Sequence, residues 1–251
     1  MSAPRDTSDF HNTGKSRDRE DESRGRREPA HHRLWGRAVG KALTAHQREL
    51  MKTVYPRMEV AADPTADPTE GHARVWLEVG FGAAHHLLAL ARANPDVLVI
   101  GAEPFLNGVA KAVAGAYEAG LDNLRLHHGD AREVLARLPD ASLERLFTLY
   151  PDPWPKARHR KRRLIQDDTI AEFARVLEPG GPGSGDWRFV SDIADYVDWT
   201  LVRVARSPHF AWEPERAEDV LESPADWTPT HFEKKALREG RTPHYLDFKR
   251  V

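Results

Sequence analysis

The sequence predicts an α/β fold, a mostly parallel sheet with helices on both faces. From Val75 onward, short apolar runs alternate with amphipathic stretches. Strands alternating with helices build a parallel sheet that is covered on both sides. A two-glycine turn, Gly80-Phe81-Gly82, follows the first apolar run directly. No apolar run approaches the roughly 20 residues needed to span a bilayer.

Residues 1–32 are dominated by Arg, Asp, Glu and Ser. With so little to bury they read as a disordered, charged tail, which leaves 33–251 as a single domain. Residues 34–55 read as a short helical region. Residues 62–71 carry Ala-Asp-Pro-Thr twice, a turn-rich linker. A strand is expected over 75–79, a helix over 84–93 and a strand over 98–102. A helix over 108–118, an extended segment over 124–127 and a short helix over 132–137 come next. The run 146–149 reads as a buried strand. An amphipathic helix over 164–177 stops at Glu178-Pro179-Gly180-Gly181. Then come a strand over 187–190, a helix over 196–205 and a closing strand over 245–251.

The 251 residues carry a formal net charge of -2 and no cysteine. Disulfides, thiolate zinc sites and a cysteine nucleophile are thereby excluded, and the composition suits the cytoplasm. The opening stretch is charged and has no signal-peptide pattern. Charge is unevenly placed. Lys156, Arg158, Arg160, Lys161, Arg162 and Arg163 share one short segment, while acidic residues gather at Glu213, Glu215, Glu218, Asp219 and Glu222. A near-neutral total can hide a strong local field. The pairs His31-His32, His85-His86 and His127-His128 make poor joint metal ligands, because adjacent strand residues point to opposite faces. No metal site is expected.

In a sheet of this kind the ligand sits beyond the carboxyl ends of the strands. The first such loop is Glu78-Val79-Gly80-Phe81-Gly82, where Gly80 and Gly82 allow a tight turn and close approach of a ligand. A dinucleotide fingerprint wants Gly or Ala three residues after the second glycine, and His85 stands there. Glu78 would repel a pyrophosphate but not an ammonium or sulfonium. Glu103 falls where an acidic residue accepts from ribose hydroxyls, and Asp130, after the next strand, is placed to accept from an adenine amino group. A single such carboxylate is usually just solvated. Three on successive loops describe a site for a positively charged nucleoside, S-adenosyl-L-methionine more readily than NAD.

The fourth loop reads Tyr150-Pro151-Asp152-Pro153-Trp154-Pro155-Lys156. Its prolines hold Asp152 and Trp154 in a narrow range of poses, as a site that positions reactants requires. The basic tract beside it reads as a phosphate-binding track for a nucleic acid, with Trp154 able to stack on an exposed base.

The segment 150–163 closely resembles the signature of the bacterial tRNA (guanine-N7-)-methyltransferase family, and so does Leu77-Glu78-Val79-Gly80-Phe81-Gly82. Ser191-Asp192 and Thr230-His231-Phe232-Glu233 follow in the expected order. The resemblance runs from about Leu34 to the C-terminus. It implies a Rossmann-like class I S-adenosylmethionine-dependent methyltransferase that modifies guanine N7 in the tRNA variable loop. It further implies that Glu78, Glu103, Asp130 and Asp152 contact the cofactor and that Asp152 is the catalytic position. Lys156, Asp192, Thr230, His231, Phe232 and Glu233 would meet the substrate. Neither a membrane nor an obligatory protein partner is implied. The loop 180–186 is longer than the family pattern, and His231 stands where the family often has lysine. The competing readings are a small-molecule methyltransferase of the same fold, which the basic tract argues against, and a non-catalytic RNA-binding protein, which the crevice carboxylates argue against.

Overall fold

The computed structural model describes residues 40–251 apart from 61, 62, 64, 182 and the side chain of 217. The charged tail, the start of the expected helical region and part of the turn-rich linker lie outside the described residues. The described residues belong to one compact unit, and none of their helices is long and apolar enough to cross a membrane.

Thr44 and Gln47 close a reciprocal capping box that starts α1 (Ala45–Thr53). The single turn α2 (Tyr55–Met58) carries a proline in its first turn, where the missing N–H is no loss. Glu59 then pairs in parallel with Leu126 at the sheet edge. The alternation follows: β1 (Val75–Val79), α3 (His85–Ala93), β2 (Leu98–Ala102), α4 (Leu106–Ala119), β3 (Leu124–His127), α5 (Ala131–Leu135), β4 (Arg145–Leu149), α6 (Asp167–Val176), β5 (Asp186–Ser191) and α7 (Ala194–Val204). Three elements close the chain: the short β6 (Phe210–Ala211), α8 (His231–Arg238) and β7 (His244–Arg250).

The seven strands lie in the order β3-β2-β1-β4-β5-β7-β6. The first five are parallel, whereas β7 runs antiparallel between β5 and β6. Strand order reverses beside β1, and this is where an open α/β sheet opens its crevice. β1 and β2 are buried along their whole length, as a sheet covered on both faces requires. Successive side chains feed opposite cores. Leu77, Ile100, Leu146 and Trp187 join Ile170 and Phe173 of α6. Trp76, Val99, Phe147 and Val190 join Leu87 of α3 and Val113 of α4. Trp187 packs on Phe173, Phe210 and Phe248 with ring centroids 5.1, 5.4 and 4.8 Å away. Its indole donates to Thr148 Oγ1 at 2.9 Å, so this fully buried tryptophan ties β6 and β7 to the parallel strands.

Two differences from the sequence expectation have clear causes. The helix expected from 164 begins at Asp167. Leu164 and Ile165 are apolar enough to continue the pattern, but Trp199 Nε1 donates to the Ile165 carbonyl at 2.7 Å and the Ile165 amide donates to Tyr196 Oη at 3.2 Å. Those backbone groups are used sideways and leave the helix ladder. β6 is only two residues long, too short to produce a periodic signal.

Candidate active site

A cavity of about 530 Å³ opens at the carboxyl ends of β1, β2 and β4, within the range of small-molecule sites. Its floor is the first loop, where Gly80 and Gly82 adopt φ of 75° and 54°, angles that glycine takes without steric cost. A Cβ on Gly108 of α4 would stand 2.3 Å from the Gly82 carbonyl oxygen. That close approach makes Gly108 part of the site, and the sequence reading missed it. Its only signal was a glycine early in a helix, where propensity disfavours one.

The carboxylates differ in how they are held. Glu103 accepts from the Gly82 amide at 2.7 Å and the Phe105 amide at 2.8 Å. Burial nonetheless pushes its carboxyl up, assisted by the charges of Asp152 and Glu78 and opposed by the two amides. Asp130 caps α5 and binds Arg132 with both oxygens, at 2.6 to 3.0 Å. Arg132 itself lines the cavity. Glu78 turns away from the other three: it sits 2.9 Å from His86 Nδ1, both side chains are buried, and it lines a smaller adjoining hollow with Thr230, His231 and Phe232. Its place on β1 beside Phe147 points it to the face that α3 covers, and His86 lies in the first turn of α3. Asp152 alone of the four makes no hydrogen bond among the described residues. It lines the cavity with one side open, and the protein around it raises its carboxyl by desolvation.

The loop after β4 is strained. Tyr150 and Trp154 have φ of 52° and 40°, a conformation costing of order 1–3 kcal/mol for a bulky residue. Such strain persists only where neighbours over-determine the backbone. The Tyr150 ring stacks on Phe232 at 6.4 Å. Trp154 meets the edge of His159 at 6.0 Å and has the Arg162 guanidinium 5.0 Å over its ring, a cation–π contact.

Apart from Arg162, which covers Trp154, the basic tract separates into two sets. Lys156, Arg158 and Lys161 face solvent and have no carboxylate partner among the described residues. Arg163 is buried and Arg160 half-buried, and both pair with Asp195. The expectation of one continuous phosphate track is thus narrowed, because the Arg163 guanidinium lies inside the protein and that of Arg160 is engaged by Asp195.

The residues expected to meet the substrate also separate. Lys156 lies outside the cavity, at the start of the short 3-10 segment Ala157–Arg162. Asp192 follows the end of β5 and is paired with Arg241 at 2.5 Å. The long 180–186 loop closes on itself through a Gly181–Ser184 bridge before β5 begins in register with β4, so it leaves Asp192 directly after the strand. Thr230 and Glu233 form a capping box at the start of α8. Glu233 is buried and also accepts from Trp227 Nε1 at 2.6 Å and Tyr245 Oη at 2.7 Å. His231 and Phe232 are exposed and line both hollows, with Lys235 one turn on in the larger. α8 therefore roofs the cavity. Its Thr-x-x-Glu start was a readable helix signal.

An open sheet with β7 inserted antiparallel, and a carboxylate-lined cavity at the strand-order reversal, define a Rossmann-like class I methyltransferase. The family model described as "Putative methyltransferase" matches residues 72–246. A tRNA (guanine-N(7)-)-methyltransferase of Nitrobacter hamburgensis is 45% identical over 249 residues, covering 97% of this chain and 95% of that one. The enzyme of the same name from Rhodospirillum rubrum is 44% identical, covering 87% and 88%. The chain belongs to the tRNA (guanine-N7-)-methyltransferase family. Among solved structures, TrmN from Thermus thermophilus aligns over 82% of this chain and 48% of its own at 15% identity and a TM-score of 0.48.

Proposed function

We propose that this chain transfers a methyl group from S-adenosyl-L-methionine to N7 of guanine in the variable loop of tRNA, and that residues 33–251 do so as one domain in the cytoplasm. The observation that carries this reading is the position of Asp152. It stands unpartnered in a strained, proline-bounded loop, between a carboxylate-lined cavity on one side and the outward cations Lys156, Arg158 and Lys161 on the other.

The cavity's donor and acceptor set fits the cofactor. Gly80 and Gly82 let a ligand approach the backbone, Glu103 and Asp130 stand after consecutive strands, and Val79, Ala102, Ala131 and Leu164 supply apolar walls. S-adenosyl-L-methionine supplies, when bound, a methyl group on a positively charged sulfur. In this reading Glu103 accepts from the ribose and Asp130 from the adenine amino group. Glu78 favours the cationic end of the molecule, while His86 holds its carboxylate.

Guanine N7 exposes a lone pair and carries no proton. Asp152 therefore has no proton to take from the attacking atom. Its work is to orient the base, through the guanine N1 and N2 hydrogens, and to offset positive charge as it develops on the ring. Lys156, Arg158 and Lys161 hold the RNA backbone and set position, not sequence. Trp154 has one face over Arg162, so the cation–π pair together with the Tyr150–Phe232 stack offers aromatic surface for a splayed-out base.

Purified protein, labelled S-adenosyl-L-methionine and unmodified tRNA test the reading. Label recovered as 7-methylguanosine from the variable loop is the expected result. Label in another nucleoside, or none in RNA, overturns it.

A further inference from the structure

We propose that Arg163 is a positioning residue, a latch that fixes the Asp152 loop through the carbonyl of Pro153. This rests on the proposed transfer reaction only for its kinetic readout.

The Arg163 side chain is wholly buried. Its Nε donates to the Pro153 carbonyl at 2.7 Å and Nη1 to the Asp195 carbonyl at 3.2 Å, while Nη2 pairs with the Asp195 carboxylate. The guanidinium carbon lies 4.8 Å from the centre of the Tyr196 ring and 4.9 Å from that of Trp199. A guanidinium removed from water is tolerated only when its charge and donors are met, and here they are met by two elements at once. Asp195 lies in the first turn of α7, where a carboxylate is favoured. Arg163 also holds the Asp195 carboxyl below its ordinary range, so the counter-charge stays in place.

The other end of the latch is the reaction loop. Proline has no N–H, so the Pro153 carbonyl is the one backbone group through which that residue can be held. Pro153 lies between Asp152 and Trp154. Trp154 sits at a positive φ that needs outside support to persist. A pull on Pro153 therefore places the carboxylate on one side and the strained tryptophan on the other. Only arginine can do this, because one rigid fork must reach the Pro153 oxygen and the Asp195 carboxylate together. A lysine in the same place keeps the charge and reaches one of them.

The test is Arg163→Lys, read by steady-state kinetics and by fluorine NMR of 5-fluorotryptophan-labelled protein, with the Trp154 resonance assigned through Trp154→Phe. The latch predicts a kcat lower by about tenfold or more. KM for methyl donor and tRNA stay as in the parent. The Trp154 resonance moves toward the random-coil position, while that of the fully buried Trp187 is unchanged. An unmoved Trp154 resonance overturns the latch. So does a rise in tRNA KM with kcat unchanged. If Arg163→Lys does not fold, Asp195→Ala, at a half-exposed side chain, serves in its place: a moved Trp154 resonance is expected, and an unmoved one overturns the proposal. Because the spectrum needs no turnover, absence of tRNA methylation in the parent protein would sink the proposed function and leave this test intact.

Discussion

The four carboxylates at the carboxyl edge of the sheet, three lining the cavity and Glu78 the adjoining hollow, fall into two kinds. Glu78, Glu103 and Asp130 are each already held, by His86, by two backbone amides and by Arg132 respectively. Asp152 is held by nothing among the described residues, and its carboxyl is raised by desolvation alone. The first three are tied into the scaffold by those partners. The fourth is a charge kept where the fold gains nothing from it. Natural proteins accept this kind of cost at positions where activity requires it, which is the ground on which the proposed function gives Asp152 the acting role.

The largest effect that would sharpen this contrast is the substitution Asp152→Asn. Single-turnover methyl transfer should fall by about 10²–10³, as for loss of one group that meets charge developing in a transition state. The melting temperature should stay unchanged or rise slightly. A raised carboxyl binds its proton more tightly folded than unfolded. Its ionisation therefore costs stability, and the cost grows as pH climbs through the ordinary carboxylate range and is complete above the raised value. Asparagine removes that cost. Retained activity, or a clear drop in melting temperature, would break the division.

Acidification comes next. Both Glu103 and Asp152 are raised, so they take up protons at higher pH than free carboxylates do. Affinity for the methyl donor, measured by calorimetry as pH falls toward the ordinary carboxylate range, should weaken as Glu103 loses its charge. The thioether product, which carries the same ribose, should weaken alongside it. Unchanged affinity for both ligands would show that Glu103 does not meet the ribose.

A smaller effect concerns the tract. Replacing Lys156, Arg158 and Lys161 together by alanine should flatten the salt dependence of tRNA binding, by about 0.7–0.9 in log–log slope for each phosphate no longer neutralised. An unaltered slope would mean that the RNA backbone runs elsewhere. The smallest change is Asp130→Ala, which removes the α5 cap and leaves Arg132 without its partner. Stability should fall by about 1–2 kcal/mol, or several degrees in melting temperature. The same change at Asp152 should leave stability intact.

Much of this was legible in the sequence. The first five strands and the helices between them follow from apolar runs bounded by turn residues, since a strand buried on both faces must be continuously apolar. The resemblance of 150–163 and 77–82 indicated which loops carry the site. Long-range contacts were not legible. Arg163 belongs to a tract of six basic residues and differs from the exposed Arg158 in nothing but position as far as a sequence displays. It is buried because Asp195, Tyr196 and Trp199, over thirty residues away, form a socket for it. Glu233 read as a substrate contact, yet Trp227 and Tyr245 enclose it as a helix cap. Gly108 looked like a weak helix position until the Gly82 carbonyl was found against it.

The sequence by itself determined the class of fold, the order of the parallel strands' loops and the kinds of charge that each loop carries, because these depend on local periodicity and residue type. Only the tertiary structure decided which of those charges are free. Burial and pairing are set by residues distant along the chain. They engage three carboxylates, Arg160 and Arg163 within the fold, and leave Asp152 and the outward cations without a partnering charge among the described residues.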